Sequence, residues 1–352
     1  MRTAGVGFTP AVSILKPLKS CDETTRDSIQ SWFRQKYSGP VEIIFGVAWA
    51  DDPVCEIVRQ LIAENPDCPA QLVVCGRLSG ANAKIAKLAQ LERLAKHDLI
   101  LISDEDVRVE PDFLANMVAP LRNERNALVN CFYRLANPST AAMSWEAVAI
   151  NADFWSQVLQ SQTFQPLDFA LGAAILTRRK ALAEIGGFDS LTGYLADDYQ
   201  LGNRIARNGH RLVLCPVVVE CWHPPMNWSD VWKHQLRWSR TISVCRPWSY
   251  FFSILSNATL WPFVWFIISF QTTSSLCAPL ASIACIGIRV SLAHDLQRRF
   301  TPKRNLVSPA WLVPIKDLSQ AIIWLGAFAG NSVEWHGRRM KLQRDGTLLI
   351  ES

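Results

Sequence analysis

The chain of 352 residues lacks the signatures of several common enzyme classes. It contains neither a Walker A pattern nor a Gly-x-Gly-x-x-Gly turn, which argues against a nucleotidase or a dinucleotide-dependent oxidoreductase. It also has no Gly-x-Ser-x-Gly elbow, the signature of an α/β-hydrolase. Its ten cysteines include no Cys-x-x-Cys pair, so zinc and iron–sulfur sites are not expected. Free thiols in this number indicate a reducing compartment.

Charged residues are scarce, at 19% of the chain against 49% apolar residues, and the mean hydropathy is +0.08. No charged residue occurs between Trp248 and Ile288. A membrane-spanning helix needs about 20 apolar residues, so this run is long enough for two. We therefore predict spans at roughly Tyr250–Phe270 and Leu276–Ala293. The alternative is a very apolar hairpin in a protein core, but tryptophans near this run are typical of a membrane interface.

A third apolar stretch, Trp311–Gly330, contains Lys316 and Asp317, so we expect it to lie in the interface or to re-enter the membrane. The net charge is +5, and basic residues cluster after the apolar segments. They are Arg298, Arg299, Lys303, Arg304, Arg338, Arg339, Lys341 and Arg344. Such clusters mark cytoplasmic flanks or contacts with anionic lipid, and their place beside spans argues against nucleic acid as a partner. The prediction is a multi-pass protein of the inner or cell membrane with a cytoplasmic catalytic domain.

Strands and helices alternate from Val12 to Trp238. This order predicts an α/β fold with a mostly parallel sheet covered by helices. We divide the chain into a catalytic domain with an interfacial helix (1–245), two transmembrane helices (246–295), and a final part (296–352). The final part holds a basic loop, the third apolar segment and a basic tail.

The most informative run lies at the end of one predicted strand. Four apolar residues, Leu99-Ile100-Leu101-Ile102, are followed after Ser103 by an Asp-x-Asp pair, Asp104 and Asp106. Open α/β sheets bind their ligands at the carboxyl ends of the strands. Two carboxylates there suit a hard divalent cation, which in turn holds a diphosphate. The alternative is a turn with solvated acids, and the decision depends on what accompanies the pair.

Further polar groups accompany the pair in matching positions. They are Asp51 and Asp52 after the second strand, Gly80-Ala81-Asn82-Ala83-Lys84 at a helix start, Asp197 and Asp198 opening another helix, and Arg237 and Trp238 on a later one. Together, and in this order, these motifs resemble the ceramide glucosyltransferase family and its bacterial hopanoid-linked relatives. Those proteins are family-21/family-2-type inverting glycosyltransferases. The strand that contains Lys16 looks like their opening strand, and the tail Glu334–Arg339 resembles them weakly. One departure is His234, where the family has Gln or Arg three residues before Arg-Trp.

The resemblance implies a nucleotide-sugar-binding GT-A fold, Rossmann-like, followed by C-terminal transmembrane helices. It also implies Mg²⁺ or Mn²⁺ at Asp104 and Asp106, with Asp198 as the base beside Asp197. Asp51 or Asp52 would bind the uracil or ribose, and Arg237 would clamp the diphosphate. Trp238 either walls the acceptor channel or anchors its helix, and Lys84 lies either near phosphate or in solvent. The remaining expected UDP-sugar contacts are Lys16, Gly80, Asn82 and Asp104.

The predicted function is transfer of a hexose, glucose or N-acetylglucosamine, from a UDP-sugar to the hydroxyl of a membrane lipid, ceramide or hopanoid. Two alternatives are a processive polysaccharide synthase subunit and a non-catalytic nucleotide-sugar-binding membrane protein. A synthase needs a translocation channel, and two or three apolar segments are too few to build one alone. The presence of both the metal acids and the base pair argues against the non-catalytic alternative.

Overall fold

A computed structural model describes residues 7–272, 276–300, 307–335 and 338–350. Lys303, Arg304, His336, Gly337 and part of the polar turn between the two expected spans lie outside these ranges. The chain forms two compact units, the first from Met1–Arg134 and Gln160–Pro224, the second from Leu135–Leu159 and Pro225–Ser352. The division at residues 245 and 295 stays a prediction.

The strands of the described chain are β1 (Val12–Pro17), β2 (Val41–Val47), β3 (Ala70–Val74), β4 (Leu99–Ser103), β5 (Val107–Arg108), β6 (Asn126–Leu135), β7 (Ala174–Arg178), β8 (Arg211–Cys221), β9 (Ser332–Trp335), β10 (Arg338–Leu342) and β11 (Leu348–Ile350). The α-helices are α1 (Thr25–Phe33), α2 (Val54–Glu64), α3 (Ala83–Leu94), α4 (Phe113–Val118), α5 (Ala141–Val148), α6 (Trp155–Phe164), α7 (Arg179–Glu184), α8 (Asp197–Arg207), α9 (Trp228–Cys245), α10 (Pro247–Ser253), α11 (Leu260–Thr272), α12 (Cys277–Phe300) and α13 (Leu312–Phe328).

The first unit is built on an eight-stranded sheet in the order β3-β2-β1-β4-β7-β6-β8-β5. β1 is parallel to β2 and β4, and β2 is parallel to β3, as the alternating pattern predicts. β7 is antiparallel to both β4 and β6, and β5 is antiparallel to β8, so the sheet is mixed. The direction of β7 was not predictable because β7 is buried like the parallel strands of the sheet, and burial carries no information on direction.

Helices cover both faces of this sheet. Consecutive residues of β1 belong to different core clusters: Ile14 packs with Trp32 of α1, and Leu15 packs with Leu88 of α3. A strand buried on both faces has a nearly continuous apolar sequence instead of alternation. This explains why the strands that carry the candidate site could be recognised from short apolar runs.

The second unit holds the apolar helices and a small antiparallel sheet, β11-β10-β9. Within the described residues one segment, Cys277–Arg299, is long and apolar enough to cross a membrane. The first predicted span is two helical pieces, Pro247–Ser256 and Leu260–Gln271, which bend by 48° and pass the same test only together. The described chain therefore has one candidate span, or up to two, and the predicted pair of spans stays a prediction.

Helix α13 buries its two charged residues. Its outward-facing side chains are apolar: Ile315, Ile322, Leu325 and Phe328. Its charged residues, Lys316 and Asp317, are turned inward and are almost fully buried. Asp317 accepts hydrogen bonds from Arg289 Nε (2.9 Å) and Nη2 (2.8 Å), and Arg289 Nη2 also donates to Asp153 (2.7 Å). Lys316 pairs with both carboxylates, so the four charges balance inside the unit.

Candidate active site

Three of the sequence motifs meet at Lys84, in the first turn of α3. Its Nζ lies 2.7 Å from Asp104 Oδ1 and 2.9 Å from Asp197 Oδ2. Asn82 accepts the capping hydrogen bond of α3 and donates through Nδ2 to Tyr194 O (2.9 Å) and Asp197 Oδ1 (3.3 Å). The Gly-x-Asn-x-Lys turn, the Asp-x-Asp segment and the start of α8 therefore form one cluster of hydrogen bonds and ion pairs.

The charges of the neighbouring acids explain why a lysine occupies position 84. Burial alone would lower the pKa of Lys84, but the carboxylates of Asp104 and Asp197 outweigh it and hold the pKa above its ordinary value. Burial raises the pKa of the Asp104 carboxyl, and the Lys84 charge opposes that rise. Lys84 is 18% exposed and paired with both acids, which supports a role in holding Asp104 and Asp197 together. Its contact with phosphate stays a prediction.

Lys84→Met should destabilise the protein because it leaves two carboxylates without their counter-charge. Breaking a buried ion pair costs about 3–5 kcal/mol, and we expect about 2–3 kcal/mol here since the Asp104 side chain is 36% exposed. This corresponds to a melting temperature lower by roughly 4–10 °C, measurable by thermal denaturation. Lys36→Met, at an exposed lysine, is the matched control. Equal melting temperatures for the two variants would contradict the ion-pair cluster.

Gly80 supports this cluster through its backbone. Its φ is +85°, and a Cβ at this position would come within 2.7 Å of Thr192 Cβ and Thr192 O. The amide of Asn82 donates to the same carbonyl, Thr192 O, at 2.9 Å. A glycine therefore allows the turn to pack directly on the segment that precedes α8. Gly80 thus has a structural role in this turn.

Asp51 and Asp52 have different surroundings in the structure. Both carboxylate oxygens of Asp52 lie 3.0 Å from the amide of Ser20, and Oδ1 also accepts from Val54 N (3.0 Å) at the start of α2. Asp52 is thus engaged with the protein's own backbone. Asp51 is exposed beside it. This arrangement supports Asp51 as the residue of the pair that is accessible to a nucleotide.

Lys16 is fully buried, and its side chain contacts the end of β4 where the Asp-x-Asp pair begins. Its ammonium donates to Asp104 O (2.7 Å) and Ser103 Oγ (3.3 Å), and it lies 4.6 Å from the centre of the Trp32 ring. Burial lowers the pKa of Lys16 to about 8, against the nearby acids, which raise it. The placement supports a role in shaping the end of β4 more than the predicted contact with the donor.

Asp106 has a neighbouring side chain, His223, that was not predicted from the sequence. β5 pairs with β8 in the register Val107 to Cys221, and Trp222 N donates to Asp106 O (3.0 Å). His223 Nε2 consequently lies 3.4 Å from Asp106 Oδ2. The available signal was a histidine two residues after the apolar run that forms β8, but nothing in the sequence indicated which strand β8 would join.

The side chains around Asp106 suit a divalent cation whose remaining ligands come from a substrate. Mg²⁺ and related ions are usually held by one or two protein carboxylates, with substrate phosphates and water completing the shell. Imidazole nitrogen is also a usual ligand for transition-metal ions. Asp106 and His223 lie side by side, with Asp104 two residues before Asp106 and partly exposed. Among the described residues no group of three or more such side chains is placed to hold a metal alone, so the diphosphate would be needed to complete the site.

Asp198 follows directly after Asp197 at the start of α8, and it is Asp197 of the two that forms the ion pair with Lys84. Its Oδ1 accepts from the amide of Tyr199 (2.7 Å). Burial, and next the charge of Asp197, raise the pKa of Asp198 to about 6. On the other side its Oδ2 lies close to Gly172, where an added Cβ would be only 2.9 Å away. Asp198 thus combines the raised pKa of a general base with a tightly defined position.

Gly172→Ala should displace the Asp198 carboxylate and reduce turnover by about 10-fold, since small misplacements of a catalytic group are costly. The Michaelis constant for the donor should stay near that of the wild type. Steady-state kinetics with the donor and acceptor varied separately measures both constants. Gly193→Ala is the matched control, because a Cβ there meets nothing within 4 Å. Wild-type turnover in Gly172→Ala would show that the position of Asp198 is not critical.

Arg237 and Trp238 belong to the second unit, on α9. This helix begins with a capping box in which Asn227 and Asp230 satisfy each other's backbone amides. Arg237 lines a cavity of about 240 Å³ together with Lys233, Arg240 and Arg339. Arg240 is occupied with the backbone carbonyls of Ser332 and Ala329. Trp238 packs against His234, with 4.5 Å between ring centres. The roles of Arg237 and Trp238 in binding stay predictions.

Comparison with known proteins settles the family. The profile of glycosyl transferase family 21 matches residues 2–348. The chain belongs to this family. Ceramide glucosyltransferase 3 of Caenorhabditis elegans is 28% identical over 205 residues, and ceramide glucosyltransferase 1 of the same organism is 25% identical over 201 residues. The matches cover 57% of this chain and 44% and 43% of those proteins, so the family-21 chain spans less than half the length of these relatives.

A solved structure confirms the fold. A mannosyltransferase from Pyrobaculum calidifontis, solved with GDP-Man and Mn²⁺, superposes with a TM-score of 0.51 at 17% identity. The superposition covers 90% of this chain and 88% of that one. The predicted family and the GT-A-like fold with its mixed, mostly parallel sheet are therefore confirmed.

Proposed function

We propose that this family-21 chain is an inverting, metal-dependent glycosyltransferase. It transfers a hexose, glucose or N-acetylglucosamine, from a UDP-sugar to the hydroxyl of a membrane lipid such as ceramide or a hopanoid. The observation that carries the proposal is the cluster of Asp104, Asp197 and Lys84, with Asp106 and Asp198 adjoining it. The names of the two Caenorhabditis relatives support a lipid acceptor.

Donor binding is assigned to the carboxyl ends of β2 and β4. Asp51 accepts hydrogen bonds from the uracil or ribose, because Asp52 is engaged with the backbone. Asp106 and His223, with Asp104, would hold a divalent cation, Mg²⁺ or Mn²⁺. When bound, the cation offsets the negative charge that develops on the leaving diphosphate. Arg237 adds two donors for the same group.

Asp198 acts as the general base. It takes the proton of the acceptor hydroxyl, whose oxygen attacks the anomeric carbon from the side opposite the diphosphate. Such direct displacement inverts the configuration, so an α-linked UDP-sugar gives a β-glycoside. Asp197 is held by Lys84 and Asn82, and its negative charge contributes to the raised pKa of Asp198. The two adjacent acids therefore have different roles because they have different partners.

The pH dependence of turnover should report this base. The pKa of Asp198 is raised to about 6, so its carboxylate form is lost as the pH falls through that value. Activity should be at its plateau above about pH 7 and decline about tenfold per pH unit below the pKa. Turnover measured from about pH 5 to 8 at saturating substrate tests this. A profile that rises as the pH falls would contradict a carboxylate base.

Membrane attachment is assigned to the second unit. Cys277–Arg299 meets the criteria for a span, and the bent pair before it meets them jointly. The outward face of α13 is apolar while its charges are balanced inside, which suits a helix in contact with lipid. We propose a multi-pass protein with the catalytic unit in the cytoplasm, where the acceptor's tail stays in the bilayer and its hydroxyl reaches Asp198.

Incubation of the purified protein with a panel of radiolabelled UDP-sugars and defined lipids tests the function. The expected product is one labelled glycolipid carrying a single β-linked sugar. A labelled polymer would favour the processive synthase. If no sugar transfers with any donor in the presence of Mg²⁺ or Mn²⁺, the non-catalytic alternative holds and the proposal fails.

A further inference from the structure

A buried acid in the second unit takes no part in the chemistry described so far. Glu146, on α5, has no exposed side-chain surface. Its Oε1 lies 2.7 Å from His234 Nδ1 and 2.8 Å from Gln235 Nε2, both on α9. The rest of this helix contact is apolar, with Ala142 and Trp145 against Val231. A carboxylate in such surroundings is costly unless it is hydrogen-bonded, so these contacts are specific.

The contacts continue along α9 to Trp238. His234 and Trp238 are four residues apart, and such pairs face each other on a helix. Their ring centres are 4.5 Å apart and the rings are inclined at 60°, an edge-on arrangement. A histidine held at Nδ1 by a carboxylate has a defined tautomer and ring orientation. The carboxylate of Glu146 therefore fixes the imidazole, and the imidazole borders the indole.

We propose that Glu146 is a positioning residue for glycosyl transfer. It acts through His234 to hold the Trp238 ring in the single orientation that binds the lipid acceptor. The inference rests on the proposed function and on one of the two roles predicted for Trp238, that of a wall of the acceptor channel. It gives a functional role to His234, the position at which this sequence departs from the family pattern.

Glu146→Gln keeps the size of the side chain but removes its negative charge, so the single oxygen that accepts from both His234 and Gln235 becomes a neutral and weaker acceptor. The Michaelis constant for the lipid acceptor should rise by about 5- to 20-fold, a range typical of coupled neighbours. The constant for the UDP-sugar and the turnover number should stay within about twofold. The matched control is Glu184→Gln, at another Glu–His pair, with His210. Parallel changes in both Michaelis constants would indicate a general structural role and overturn the proposal.

A double-mutant cycle tests the path through His234. His234→Gln keeps a donor for Glu146 but removes the ring that borders Trp238, so it should raise the acceptor constant to a similar extent. Combining it with Glu146→Gln should then add less than about twofold. Additive effects of the two substitutions would overturn the proposal.

A spectroscopic measurement separates this inference from the proposed function. In protein labelled with 5-fluorotryptophan, the ¹⁹F resonance that disappears in Trp238→Phe belongs to Trp238. That resonance should shift or broaden in Glu146→Gln and stay unchanged in Glu184→Gln. A resonance unaffected by Glu146→Gln would overturn the inference whether or not the wild type is active. If the shift is seen while no donor and lipid pair reacts, the positioning of Trp238 is supported and only its link to glycosyl transfer fails.

Discussion

Asp198→Asn should reduce turnover by about 10²–10⁴-fold, the usual contribution of a general base. The amide has the size of the carboxylate but cannot accept the proton of the acceptor hydroxyl. Binding of UDP, measured by calorimetry, should remain near that of the wild type because the base acts only in the transition state. The residual activity should also lose the decline below about pH 6 that the raised pKa of Asp198 produces in the wild type.

The control for this substitution is Asp67→Asn, the same chemical change at an exposed aspartate before β3. Its turnover and pH profile should match the wild type. Turnover like that of the wild type in Asp198→Asn would remove Asp198 from the mechanism. A loss of UDP binding in parallel with turnover would instead indicate that Asp198 contacts the donor.

Removal of divalent cations should abolish activity, and added Mg²⁺ or Mn²⁺ should restore it. Asp106→Ala should lower kcat/KM by at least about 100-fold and weaken UDP-sugar binding, since a group that stabilises transition-state charge contributes about this much. His223→Ala should raise the cation concentration needed for half-maximal activity. Titration of activity with each cation, after treatment with a chelator, measures these effects.

His210→Ala is the control for the histidine, because His210 lies in the same unit and pairs with Glu184 away from Asp106. It should leave the cation requirement unchanged. Full activity of the wild type in excess chelator would reject the metal site. An unchanged cation requirement in His223→Ala would leave Asp104 and Asp106 as the ligands and exclude the histidine.

The sequence by itself determined the β-α-β order and the family, and it singled out Asp104 and Asp197, whose ion pairs with Lys84 only the structure shows. Apolar runs revealed strands buried on both faces, and polar residues followed them. In the parallel part of the sheet, successive strands end at the same edge, so residues after separate strands come together without any knowledge of register. For this reason the order of strands and motifs along the chain was enough to place Asp104 and Asp106 near a common site.

The tertiary structure decided the contacts that depend on antiparallel pairing and on side-chain direction. His223 reaches Asp106 only because β8 pairs with β5, and no local pattern encodes that choice of partner. Asp51 and Asp52 look alike in sequence, but only Asp52 has the amide of Ser20 in reach. Lys316 and Asp317 interrupt an apolar stretch, and only their ion pairs with Arg289 and Asp153 show that the charges face inward. In each case the deciding partner is distant along the chain, where periodicity and motif spacing give no information.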